Sequence, residues 1–535
     1  MPVLQPSLPD SDRRAANRAA HLALIDEVRG LETRIAEVSA RARPRFEKRG
    51  QLLPRDRLAL LLDRGAPFLP LSALAGYRMH DDDGDKSISG GGCIAGIGFV
   101  EGVRVAVLVS EAGIKGGAAT PMGMQKTLRL QAIALENNLP LIQLVESAGA
   151  NLFRQSDMFV PGGRTFANLA RMSARGLPVI SVVHGSSTAG GAYQTGLSDY
   201  VIAVRGRARI YLAGPPLLKA ATGEVAEEEE LGGADMHYHR AGTVDYLAEG
   251  DADGLIRARA VVRGLNWDRP APQRAVAAPL HDPDGLLDLV PVNPKEPYDA
   301  RGVIAHLVDG SAFEDFRAGY GPHTLTGQAR LFGHDVGIIA NNGPIDPDGA
   351  AKAAQFIQLC CQTGRPVIFL QNTTGFMVGR EAEQGGVVKH GSKMIQAVTN
   401  MTVPKLTLQI GGAYGAGNYA MCGRAFDPRF IFSWPNARIA VMGGEQAAGT
   451  MREVARAGAR AKGIEPDEEA LAAMADGVIR QYEAESRALF ATARLWDDGL
   501  IDPRHSRQVL GLALETALEG DRRQPRPSHM GVPRL

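Results

Sequence analysis

Four cysteines among 535 residues, Cys93, Cys360, Cys361 and Cys422, include no CxxC pair, which excludes a zinc ribbon and a disulfide framework. A reducing compartment suits such a chain. Charge of one sign is also lacking, because Lys plus Arg and Asp plus Glu both number 59. No global field invites nucleic acid or an anionic membrane, so any anionic ligand must be held locally. No stretch approaches the ~18 uninterrupted apolar residues of a membrane-spanning helix. The first thirty residues mix arginines with Asp10, Asp12, Asp26 and Glu27 and contain no apolar signal core. The expected location is the bacterial cytoplasm rather than a mitochondrial matrix. His237, Tyr238 and His239, with Asp235 nearby, have no Cys or further His at ligand spacing, so no metal is expected.

Glycine is abundant, at 63 residues, and its placement carries the argument. The apolar run 403–410 ends in Gly411-Gly412-Ala413-Tyr414-Gly415-Ala416-Gly417-Asn418-Tyr419. A strand that ends in small residues and restarts as a helix leaves backbone N–H groups uncovered at the helix N-terminus, where they can hold a developing negative charge. The same arrangement occurs earlier, where 177–183 runs through a short loop into Thr188-Ala189-Gly190-Gly191-Ala192-Tyr193. Pro178 and Pro404, Gly191 and Gly417, Pro140 and Pro366, and Gly149 and Gly375 are each 226 residues apart. Four coincident pairs identify an internal repeat. The chain reads as α/β, two copies of one fold, each with a glycine turn aimed at an oxyanion.

In chain order, a helix is expected over about 11–41, then a basic segment, 43–57, in which six of fifteen residues are Arg or Lys. That segment is either a solvated face or a phosphate contact. The division follows from punctuation: an N-terminal helical and basic segment 1–60, a first domain 61–268, a proline-rich linker 269–300, a second domain 301–520, and a basic tail 521–535 expected to be disordered. Lys115, Gly116 and Gly117 precede a helix over 124–137 that carries Lys126 and Arg129. Glycine-rich backbone before a helix, with basic side chains in its first turns, suits phosphates, although the Walker order is absent. The loop 146–151, with Ser147, Gly149 and Ala150, lies at the carboxyl end of a strand, the usual place for a ligand in α/β sheets. Its repeat equivalent contains Thr374, Gly375 and Phe376.

One polarised carbonyl needs one oxyanion hole, whereas two holes suggest two carbonyls reacting with each other. Acyl-thioester chemistry fits, since a thioester held in the first hole becomes an enolate once its acidic proton leaves. No Ser-His-Asp, Cys-His or paired-carboxylate set falls on these loops, so the base is expected to come from the second substrate. A single small-residue turn after a buried strand is more often packing than catalysis. Two in register, with matched ligand loops, reverse that preference.

These residues resemble the carboxyltransferase β subunits of biotin-dependent acyl-CoA carboxylases, built from two tandem crotonase-like (ClpP/crotonase) domains. The resemblance runs from Arg49 to about Ala448. The blocks 212–224 (LAGPPLLKAATGE) and 414–424 (YGAGNYAMCGR) are similar to the methylcrotonyl-CoA and geranyl-CoA branch, while 121–130 and the Asn-Thr-Thr-Gly loop lean to the geranyl-CoA type. Ala148 and Thr195 depart from the usual glycine and proline near the expected acyl pocket. The resemblance implies that the Gly190 and Gly191 amides hold the thioester oxygen and the Ala416 and Gly417 amides the ureido oxygen of biotin. It assigns CoA and acyl contacts to Lys115, Gly116, Gly117, Lys126, Arg129, Ser147, Gly149 and Ala150. Biotin contacts fall to Thr374, Gly375, Phe376, Tyr414, Gly443 and Gly444. Biotin would arrive on a separate α subunit that also uses ATP, because no Ala-Met-Lys-Met site or ATP-grasp segment is present. The β subunits would form a hexameric core, with biotin lying along the second half of a neighbouring subunit. The expected reaction is carboxylation of a branched unsaturated acyl-CoA. Propionyl- or acetyl-CoA carboxylation, a biotin-dependent decarboxylase and a non-catalytic acyl-CoA-binding scaffold are the alternatives.

Overall fold

Short runs of Val, Ile and Leu between glycine turns become strands that are buried on both faces. In the first repeat these are β1 (Leu69–Leu71), β2 (Cys93–Val100), β3 (Val103–Ser110), β4 (Leu141–Ser147), β5 (Val179–Thr188), β6 (Tyr200–Val204), β7 (Arg209–Tyr211) and β8 (Tyr246–Ala248). They pair in the order β1-β2-β3-β4-β5-β6-β8, with β7 on β5. β2 and β3 form a hairpin through Glu101-Gly102, both with positive φ (53° and 75°), the geometry of a tight two-residue turn. From β3 to β6 the neighbours are parallel.

The second repeat supplies β9 (Phe313–Asp315), β10 (Thr324–Leu331), β11 (His334–Asn341), β12 (Val367–Thr373), β13 (Lys405–Tyr414), β14 (Phe430–Ser433) and β15 (Arg438–Ala440). Their order is β14-β13-β12-β11-β10-β9, with β15 on β13. The computed structural model describes residues 1–79, 89–269 and 276–532.

The 226-residue offset holds at the level of single hydrogen bonds. The helix Pro121–Glu136 corresponds to Pro347–Gln362, with proline in the first turn of each. Thr120 caps the first by accepting from the Gly123 amide, and Asp346 caps the second by accepting from Gly349. The register of β4 on β5 shifts between Val145 and Ser147, and that of β12 on β13 between Gln371 and Thr373. Isolated bridges Ala119↔Ala150 and Ile345↔Phe376 repeat the same offset.

The chain divides into two units. The first-repeat unit holds Arg29–Pro272, Ala493–Leu495 and Glu515–Leu535; the second-repeat unit holds Met1–Val28, Gln273–Thr492 and Trp496–Leu514. The terminal segments of the sequence division therefore fall differently. The helix expected at 11–41 forms at Ser11–Ala40, and its residues up to Val28 belong to the second-repeat unit. Of the expected linker, 270–275 lie outside the described residues. Further along the same expected linker, Gly285–Leu289 is a helix that buries Leu286, Leu287 and Leu289, and Arg18 pairs with Asp288 at 2.7 Å. Burying three leucines outweighs the proline punctuation. The tail is also ordered by contacts. The helix Ser506–Arg522 runs into it, Arg523 pairs with Glu519 at 2.9 Å, and the Ser528 and Val532 amides donate to Ala174 O and Ser173 Oγ. Residues 533–535 lie outside the described residues.

Candidate active site

At the first turn, β5 hands over to the helix Gly190–Gly196 through Ala189, at φ 52° and ψ −119°. A non-glycine residue there is strained, and it persists because its amide donates to Tyr211 O and its carbonyl accepts from Ala192. The chain reverses so abruptly that the amides of Gly190 and Gly191 open the helix without intrahelical acceptors. No hydrogen bond among the described residues uses them. Ser187 Oγ donates to Gly191 O at 2.9 Å and lies 2.8 Å from Thr195 Oγ1. Thr195 is fully buried, so it braces the turn from below.

The other first-half loops converge on this end of the sheet. Ser147 Oγ accepts from the Gly149 amide at 3.2 Å, and Ser147 O accepts from Thr188 Oγ1 at 3.1 Å. Gly149 sits at φ 95°. Ala148 N donates to Gly116 O, and Ala119 N to Gly149 O. Lys115, Gly116 and Gly117 all have positive φ, and a Cβ on Gly117 would lie 2.2 Å from Glu146 O. Lys115, Gly116, Gly117, Ser147, Gly149, Ala150, Gly190 and Gly191 are thus brought together.

Lys126 is not part of that assembly, which corrects the phosphate-contact expectation for it. Lys126 is 3% exposed, and its ammonium donates to Gly90 O (3.1 Å) and Cys93 O (2.7 Å). Its repeat partner Lys352, 1% exposed, does the same to Gly321 O (2.9 Å) and Arg317 O (3.3 Å). Burial pushes both ammonium groups below the ordinary lysine range. The 226-residue offset held this signal, because a lysine stands at both positions. Arg129 reaches toward Glu136, at 3.9 Å, at the far end of the same helix. Lys126→Met is expected to lower unfolding stability by about 2 kcal/mol, the cost of buried carbonyls left without a donor. The KM for acyl-CoA should not change. Denaturant titration alongside steady-state kinetics checks both.

At the second turn, β13 passes into the helix Gly415–Ala420 through Gly415, at φ 53°. Ala416 and Gly417 are its second and third residues, and no hydrogen bond among the described residues uses their amides. A Cβ on Gly417 would lie 2.8 Å from Gly375 Cα and 3.1 Å from Thr373 Cγ2. Gly375, at φ 118°, donates its amide to Thr373 Oγ1 at 3.2 Å, repeating the Ser147–Gly149 turn. Thr374 is exposed beside it, whereas the Phe376 ring packs on Gly391 and anchors the loop to the core. Tyr414 closes β13 with its ring over Gly412. Burial raises the Tyr414 hydroxyl, against the nearby Arg438 charge. Gly443 caps the helix Gly444–Ala461, and a Cβ on Gly444 would come within 3.1 Å of Tyr482 Cβ, on the neighbouring helix.

Four of the six basic residues of the 43–57 segment are held by partners within the fold, while Lys48 and Arg49 are exposed. Arg43 pairs with Asp56, Arg45 donates to Ala112 O, and Arg55 lies 3.5 Å from Glu111. Arg57 is buried, bonded to Glu146 (2.6 Å) and Asp251 (2.9 Å), with Asp251 also bonded to His184 Nδ1 (2.9 Å). Sequence reading misses Asp251 and His184, since partners this distant leave no spacing signal. His237 faces Ile210 O and Asp235 bonds Arg205. No described helix is long and apolar enough to cross a membrane.

Residues 45–531 match the carboxyl transferase domain. The crystal structure of the Pseudomonas aeruginosa geranyl-CoA carboxylase beta subunit is similar over 100% of both chains, with a TM-score of 0.93 and 54% identity. The Mycobacterium tuberculosis biotin-dependent 3-methylcrotonyl-coenzyme A carboxylase beta1 subunit is 48% identical over 89% of this chain and 90% of that protein. The probable mitochondrial methylcrotonoyl-CoA carboxylase beta chain of Drosophila melanogaster is 46% identical over 92% and 89%. Two crotonase-like halves, each presenting uncommitted amides at a glycine turn, agree with these likenesses, and the chain belongs to the carboxyl transferase family, as an acyl-CoA carboxylase carboxyltransferase.

Proposed function

We propose that this chain transfers a carboxyl group from biotin, carried by a separate α subunit, to a branched unsaturated acyl-CoA of the 3-methylcrotonyl or geranyl type. The observation that carries the reading is the pair of oxyanion turns in register at a 226-residue offset, with no side-chain base on either loop. The names of the similar β subunits support the branched unsaturated class.

In the first half, the Gly190 and Gly191 amides hold the thioester oxygen and stabilise the negative charge it gains when the acyl group loses its proton. The Lys115–Gly117 and 147–150 backbone lies against the CoA end. In the second half, the Ala416 and Gly417 amides hold the ureido oxygen. The cradle there fits such a planar group, because even one methyl on Gly417 would occupy space now bounded by Gly375. Biotin, when bound, supplies the carboxyl group and the nitrogen that accepts the acyl proton. Tyr414 and the first turn of the helix Gly444–Ala461 border the same turn in this reading. The β subunits assemble as a hexameric core in the bacterial cytoplasm.

Bicarbonate fixation by the chain reconstituted with its co-purifying biotin subunit and ATP, across acetyl-, propionyl-, 3-methylcrotonyl- and geranyl-CoA, tests the proposal. Preference for a branched enoyl-CoA is the expected result. Preference for the saturated pair would overturn the substrate assignment, and no fixation with any would overturn the function.

A further inference from the structure

The first half contains a charged brace that has no counterpart among the described residues of the second. Arg57, 1% exposed, holds Glu146 Oε2 and Asp251 Oδ2 with separate nitrogens. Asp251 also accepts from the Leu52 amide at 2.7 Å and from His184 Nδ1 at 2.9 Å. Gln51 Nε2 lies 3.3 Å from Glu146 Oε1 and 3.0 Å from His184 O. Burial opposes the Asp251 charge, but the His184 bond, the Arg57 charge and the Leu52 amide hold its carboxyl down, at about 2. Burial, reinforced by the Arg57 charge, holds the His184 imidazole below its ordinary range, and because the Asp251 carboxylate can only accept, Nδ1 is the donor between them.

Glu146 immediately precedes Ser147, whose hydroxyl and carbonyl fasten the 147–150 loop to Gly149 and Thr188. A strand glycine makes room for its side chain. A Cβ on Gly185 would lie 2.8 Å from Glu146 Cγ and 2.9 Å from Oε1. The second half keeps the glycine, Gly411, but replaces the carboxylate with Asn372, which accepts from the Gly412 amide at 3.2 Å. The loop is equivalent in the two halves, yet among the described residues only the first-half loop is tied to a buried arginine.

We propose that Arg57, acting through Glu146, is a positioning residue for the acyl-CoA half: it fixes the 147–150 loop against the first oxyanion turn. The proposal rests on the reading that this half receives the thioester. A guanidinium spans both carboxylates with fixed geometry, which the point charge of a lysine does not reproduce. A loop shifted by ~1 Å costs up to about a hundredfold in rate when it orients a reacting group.

Gly185→Ala is the cleanest test, since it displaces Glu146 without removing a charge. Glu146→Gln and Arg57→Lys are the companions should that variant fold poorly. In the reconstituted holoenzyme, Gly185→Ala and Arg57→Lys are expected to lower kcat with 3-methylcrotonyl- or geranyl-CoA by about ten- to a hundredfold. In the reverse direction, the KM for free biotin should stay at the wild-type value. Hydrogen exchange should accelerate over 146–151 and not over 372–377. Wild-type kcat in all three variants, or equal acceleration in both segments, would overturn the proposal. Wild-type protein that carboxylates neither CoA ester would overturn the functional reading and the positioning role with it. Exchange confined to 146–151 would still report the brace itself.

Discussion

Gly417→Ala is expected to lower kcat for carboxyl transfer by about 10²- to 10³-fold, the usual effect of losing one oxyanion donor. The new methyl would stand 2.8 Å from Gly375 Cα and 3.2 Å from Gly375 C, backbone atoms that have no rotamer to relieve the contact. Either the helix Gly415–Ala420 or the 374–376 loop must move, and together they place the Ala416 and Gly417 amides. Gly191→Ala is the informative contrast. Its Cβ would meet nothing nearer than Ser187 Oγ at 3.7 Å, so alanine fits and the amides stay in place. Its loss should be less than about tenfold, below that for a lost donor. Initial rates of the reconstituted holoenzyme, with melting curves to confirm that both variants fold, make the comparison. A Gly417→Ala enzyme as fast as wild type would remove the second turn from the mechanism.

Asp497→Asn should stabilise the protein at neutral pH, by up to about 3 kcal/mol. Asp497 is fully buried, and neither carboxylate oxygen has a well-formed hydrogen bond among the described residues, although the Thr492 and Ser433 hydroxyls stand close to it. Burial pushes its carboxyl up to about 6, against the Thr492 and Ser433 hydroxyls and the Arg424 charge, with the adjacent Asp498 charge adding. Between the ordinary value of 3.8 and about 6, the folded protein binds more protons here than the unfolded chain does. Stability from this group is therefore greatest in acid, falls as pH rises through that window, and is flat above it. The difference between wild type and Asp497→Asn, followed by denaturant titration from pH 4 to 8, isolates the group from other carboxylates. A difference that does not change with pH would show that Asp497 titrates normally.

The repeat, both turns and the paired strand-end loops were legible in the sequence because their causes are local. Gly149 and Gly375 stand where φ is positive, Pro121 and Pro347 open helices, and small residues follow each central strand. Such constraints act within a few residues and leave a mark at fixed spacing. The same punctuation also misled, since the prolines near residue 285 marked a linker where a leucine-rich helix is buried.

Charged residues were legible only as a pattern, and their roles were decided in three dimensions. Lys126 looked like a phosphate ligand by its place in a first helical turn, yet the chain folds two carbonyls, Gly90 O and Cys93 O, onto its ammonium. Arg57 belonged to an unassigned basic run until folding brought it to Glu146, 89 residues away, and Asp251, 194 away. The sequence by itself determined the two-fold plan, the amide-bearing turns and the class of chemistry, because backbone conformation answers to nearby residues. The tertiary structure alone decided which charges are buried and with what partners, because desolvation and pairing depend on groups that only long-range contacts bring together.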